Sequence, residues 1–111
     1  MNTKTFNKII NRQVKRSTDV LVVKAKEYAT EDRLHNFKSA AVLQEITPAQ
    51  ALAGMMAKHT ISVYDMVMSN KEFPIEMWDE KITDHINYLL LLRAVIEEKD
   101  GIEDIEPMDE I

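Results

Sequence analysis

Glu80 and Asp84 stand four residues apart, a spacing that puts two carboxylates on one face of a helix. Two such acids can share one hard divalent cation, and magnesium prefers oxygen ligands while keeping waters or substrate phosphates as the rest of its shell. Asn87 and Leu91 continue the same stripe. Around it Ile82, Ile86, Leu89, Leu90, Leu92, Val95 and Ile96 make the segment from Trp78 to Ile96 apolar on most of its circumference. A helix of that kind has to be enclosed by other helices or by a partner subunit. Asp84 and Asn87 then sit where water is scarce, and polar groups there need partners. For Glu80 an ordinary reading competes, since acids favour the first turns of a helix. For Asp84 the competing reading is a buried ion pair with Lys58, which needs no function.

His59 is a second candidate, as a ligand or general base, although a lone histidine in an apolar stripe is more often a satisfied core group. Lys58, Ser62 and Asp65 form a polar flank beside it, near the small residues Ala51 and Gly54. A zinc site is disfavoured: the chain has no cysteine, and His35, His59 and His85 do not share a helical face. Glycine-rich phosphate loops, serine-hydrolase elbows, paired zinc histidines and EF-hand loops are missing from the sequence.

The elements that must position these residues are helical. Two glycines, three prolines and 45% hydrophobic residues leave few places for strand turns. The spacing predicts a first helix from about Phe6 to Tyr28, with Ile10, Val14, Ser17, Leu21, Ala25 and Tyr28 inward. Its outer face carries Lys8, Arg12, Lys15, Arg16, Lys24 and Lys26. That face reads as solvated, or as one from which Lys24 or Lys26 reaches an anion. Turn-forming residues fill 27–37, and a short helix is expected from Leu34 to Leu43, with Phe37, Ala40, Ala41 and Leu43 candidates for its inner side. Thr47 as N-cap, Pro48 as N1 and Gln50 as N3 announce a third helix to about Met68. Leu52, Met55, Met56, His59, Val63 and Met66 make its stripe. The Trp78 helix follows a connection at Asn70–Pro74. The expected fold is all-α: a four-helix bundle in one domain over 1–99, then an acidic tail over 100–111.

That tail holds six of the 19 acids and no base, which leaves 13 acids against 14 bases and a body near +1. Charge therefore does not exclude anionic ligands. The basic residues of the first helix lack interleaved aromatics, so nucleic acid is not an expected partner. The N-terminal stretch has no signal-peptide core and the run Tyr88–Leu92 is too short to span a bilayer, so the expectation is a soluble, cytoplasmic protein.

Five segments, K-x-K-E-Y-A at 24–29, D-R-L-H-N-F at 32–37, I-T-P-A-Q-A at 46–51, M-M-A-K-H at 55–59 and D-H-I-N-Y at 84–88, occur in an order that resembles a known group. The group is the small phage or prophage-type proteins related to the all-α NTP pyrophosphatases, the MazG and dUTPase-like superfamily. The likeness covers residues 20 to 96 and rests on the combination. It implies a nucleotide-handling helical protein, a homo-oligomer (dimer or tetramer) with sites between helices or subunits. By position it makes Asp84 the carboxylate of the last helix and Lys58 the base of the middle one. Lys24 or Lys26, Tyr28 and Asn36 would contribute from the loop region, His59 and Ser62 from the middle helix, and Asn87 and Tyr88 from the last-helix motif. The catalytic members carry E-x-x-E on one helix and E-x-x-D on the next. Here Lys58, His59, Ser62 and Asp65 replace the first pair, and Lys81 takes the place of an acid in the second. Either a reduced set of Glu80, Asp84 and Asp65 holds one Mg2+ for cleavage of a triphosphate to monophosphate and pyrophosphate, or the fold binds a nucleotide without cleaving it. A purely structural helical oligomer is the third reading.

Overall fold

The computed structural model describes residues 1–23 and 32–99. Four α-helices follow one another: α1 (Thr3–Thr18), α2 (His35–Gln44), α3 (Pro48–Met68) and α4 (Ile75–Lys99). α1 runs on into a wider π-helical turn over Asp19–Val23. Among the described residues there is no strand, as the scarcity of turn formers predicts.

Local chemistry accounts for the boundaries. Asn2 caps α1, its Oδ1 accepting the Thr5 N–H at 2.8 Å. α2 ends at Glu45, which is left-handed at φ 57°, and the Ile46 N–H returns to the Ala41 carbonyl. α3 begins with the expected capping box: Thr47 Oγ1 accepts the Gln50 N–H at 3.1 Å, and Gln50 Oε1 accepts the Thr47 N–H at 3.0 Å.

α3 and α4 form an antiparallel pair. His59 lies against Tyr88 and Thr60 against His85, so rising numbers on one helix meet falling numbers on the other. α2 covers one end of this pair. Leu34, Phe37, Leu52 and Val95 are the buried cluster, with Met55, Met56, Tyr88, Leu91 and Leu92 packed around them. Leu52 is fully enclosed, at 0% exposure.

α1 departs from the expected inward stripe. Ser17 is buried and Leu21 half-buried, but Ile10 and Val14 are exposed, Val14 to 58%. The reason is a polar junction with α4. Gln13 Nε2 donates to Thr83 Oγ1 at 3.0 Å and to Ser17 Oγ at 3.1 Å, and Asn87 Nδ2 donates to the Ser17 carbonyl at 3.3 Å. An ion pair between Arg16 and Asp79 at 3.2 Å closes it. These contacts hold the C-terminal half of α1, while Phe6, Ile10 and Val14 stay exposed. On α2, Phe37 and Ala41 are buried as expected, but Leu43 points outward at 84% exposure. On α4 likewise Ile82, Leu89, Leu90 and Ile96 are exposed. No helix among the described residues is long and apolar enough to cross a membrane.

Candidate functional site

Two contacts between α3 and α4 fix which residues look the same way. The His59 and Tyr88 rings meet at 4.7 Å between centroids, tilted by 38°. Thr60 Oγ1 lies 3.0 Å from His85 Nε2. At helical pitch Asp84 follows Tyr88 on the side of α4 away from His85, and Ser62 follows His59 on the side of α3 away from Thr60. Asp84 and Ser62 therefore lie on one side of the ring pair, and Lys58 lies further out on the same flank of α3. On α4, Thr83 and Asn87 are turned to α1, so Asp84 stands on the arc between the helix's α1 side and its α3 side. Glu80 is one turn earlier on that arc. Among the described residues α1 and α3 thus meet α4 on either side of this arc, and the arc between them is the candidate furrow.

Burial grades the acids along it. Glu80 and Asp65 are exposed, whereas Asp84, His59, Ser62 and Tyr88 are half-buried. Lys58 is exposed and makes no ion pair with Asp84, so the buried pair is not formed. Among the described residues no three side chains of the His, Cys, Asp and Glu types come together as a metal-holding group. Glu80, Asp84 and Asp65 are thus not assembled into a cage by this chain alone. What the furrow offers is one half-buried carboxylate, one exposed ammonium, a hydroxyl and a pair of rings that can face a planar group.

Asn87 is buried at the α1–α4 junction, with its amide nitrogen donating to the Ser17 carbonyl and its Oδ1 without a partner among the described residues. Asn36 is exposed in the first turn of α2. Lys24, Lys26 and Tyr28 lie outside the described residues.

Two features escaped the sequence reading. The first is the junction of Gln13, Ser17 and Thr83, whose only sequence signal is a pair of polar residues four apart inside an apolar stripe. The second is a cavity of about 490 Å³ between the starts of α2 and α3 and the end of α4. Leu34, Pro48, Ala49, Val95 and Ile96 give it apolar walls, with Lys38, Glu98 and Lys99 at the rim. Lys38 Nζ there binds Asp32 Oδ2 at 2.7 Å and also Glu98, tying α2 to the end of α4. Asp32 Oδ1 in turn accepts the Leu34 N–H at 2.9 Å. No periodicity announces such a rim, because its members come from three separate segments.

No family model, curated protein or solved structure matches this chain.

Proposed function

We propose that this protein binds a nucleotide in the furrow between α1 and α3, as an oligomeric helical protein of the MazG-like type. The observation that carries the reading is Asp84: half-buried, without an ion-pair partner among the described residues, and beside the His59–Tyr88 ring pair. A half-buried carboxylate without a counter-charge is costly unless water or a ligand meets it. A sugar hydroxyl or base amine would donate to Asp84, the rings would take the planar base, and Lys58 would meet phosphate oxygens. Asp84 and Glu80 are the residues that would hold a Mg2+ ion, which would supply positive charge to the phosphates and acidify a bound water for cleavage of a triphosphate to monophosphate and pyrophosphate. The exposed positions of Glu80 and Asp65 favour binding over that turnover.

A thermal-shift screen of nucleoside mono- and triphosphates, with Mg2+ and with a chelator, tests the proposal. A ligand at about 100 times its Kd adds about 2.7 kcal/mol of stability, enough to raise the melting temperature by several degrees. Lys58→Ala and Asp84→Asn should each remove that rise. Shifts that survive both substitutions, or no shift at millimolar nucleotide, would overturn the reading.

A further inference from the structure

α1 is the most amphipathic of the four helices and the most one-sided in charge. It carries Lys4, Lys8, Arg12, Lys15 and Arg16 and no acid. At helical pitch Phe6, Ile9, Ile10 and Val14 share one side, while Lys4, Lys8, Arg12 and Lys15 gather on the opposite one. The first half of the helix stands clear of the body. Every residue from Met1 to Arg12 is exposed, Phe6 to 53%. The hydrogen bonds and the ion pair to α4 come from Gln13, Arg16 and Ser17. Lys15 is paired with Asp19 and Arg16 with Asp79, but Lys4, Lys8 and Arg12 have no acidic partner among the described residues. About three turns of helix without packing are marginal in water, and most helical stability comes from a surface that takes the apolar side.

The placement of the charges decides which surface that is. In a protein groove the apolar stripe would be covered, but the bases on the far side would point into water and match nothing. Pairing with a second α1 would bring up five further bases and no acid. An anionic lipid surface suits both sides at once. A helix lying in its plane sinks its apolar side into the acyl boundary and keeps its basic side in the headgroup layer. Lysine and arginine stems reach along the helix to the phosphates, and a screening length of about 8 Å at physiological salt spans a helix radius. The chain as a whole stands at −5, so attraction to such a surface is confined to α1 and fixes which end of the molecule meets it.

We propose that α1 is an interfacial anchor whose Phe6–Val14 stripe lies in the surface of an anionic phospholipid membrane, with Lys4, Lys8 and Arg12 among the headgroups. The contact covers the bare half of α1 without a membrane span. It stands on α1 alone and does not depend on nucleotide binding.

Flotation of the full chain with vesicles tests the proposal. The protein should float with vesicles of phosphatidylcholine mixed with phosphatidylglycerol, stay behind with phosphatidylcholine alone, and be released at high salt. Phe6→Glu/Ile10→Glu should abolish flotation while leaving the helix content and melting temperature of the lipid-free protein unchanged, because both residues are exposed. Lys8→Gln/Arg12→Gln, which leaves the stripe intact, should weaken partition about fivefold for each base removed. No flotation with the anionic vesicles would overturn the proposal, as would equal flotation with the neutral ones. Flotation that survives Phe6→Glu/Ile10→Glu would reduce the effect to charge alone and overturn it too. A lipid-free dimer that this same double substitution dissociates would give the stripe to a second copy instead.

Discussion

Asp32, Lys38 and Glu98 show how few side chains hold the end of the bundle. The hydrogen bond from Lys38, and then that from the Leu34 N–H, keep the Asp32 carboxyl below its ordinary value of 3.8. The Lys38 ammonium is held above its ordinary 10.5 by its hydrogen bonds with Asp32 and then Glu98. A depressed acid stabilises the fold above its unfolded pKa and loses that contribution as pH falls through its folded value, here below 3.8. A raised lysine stabilises below its unfolded pKa and loses its contribution as pH climbs through its folded value, here above 10.5. Lys38→Met should therefore lower the melting temperature in the neutral range, only slightly because the groups are exposed, leave it unchanged at both extremes, and so flatten the profile. Urea melts of the two proteins across pH would reveal a profile that fails to flatten. Asp84 behaves differently. With no ion pair to lose among the described residues, Asp84→Asn should leave stability within about 0.5 kcal/mol of the parent while abolishing ligand-dependent stabilisation. A large gain in stability without change in binding would make Asp84 a structural residue after all. The alternative pairing of Asp84 with Lys58 was visible in the sequence, but only three-dimensional placement could decide it: Lys58 is carried round to the exposed flank of α3.

At the scale of elements, α3 was the most legible, because its start is written in local chemistry and its stripe in unbroken periodicity. Thr47→Ala removes the side-chain half of the capping box and should cost about 1 kcal/mol in denaturant melts. Leu52→Ala, at the one fully buried large side chain among the described residues, should cost about 2–5 kcal/mol and is the harsher test of the α2–α3–α4 core. Equal costs for the two would mean that the core does not dominate. α1 was only half legible. Its apolar period is real, but periodicity reports which face is apolar and not whether anything is there to cover it. Ser17, which the period places inward, and Gln13 beside it are the residues that make the contact. Leu43 fails for a related reason: the turn at Glu45 ends α2 with that side chain directed outward.

For the whole molecule, the weight of exposed hydrocarbon is the governing fact. Among the described residues seven apolar ones are buried, while Leu89, Leu90, Ile82 and Ile96 on α4 and Ile61, Tyr64 and Val67 on α3 stay exposed. A monomer seldom leaves so much apolar surface open, and association of copies through α4 would cover it. Sedimentation equilibrium at micromolar concentration should show a dimer or larger species that Leu89→Glu/Leu90→Glu dissociates without unfolding. A monomer at all concentrations would refute association. The apolar circumference of α4 lay within reach of the sequence, since Ile82, Leu89, Leu90 and Ile96 fall around most of the helix. Nucleotide binding is the central claim, and amide chemical-shift mapping during titration with a nucleoside triphosphate tests it most directly. The account predicts saturable shifts at His59, Ser62, Asp84 and Tyr88, with the cavity residues Val95 and Ile96 unmoved. Absence of shifts at millimolar nucleotide, or shifts confined to the cavity at the end of α4, would contradict it.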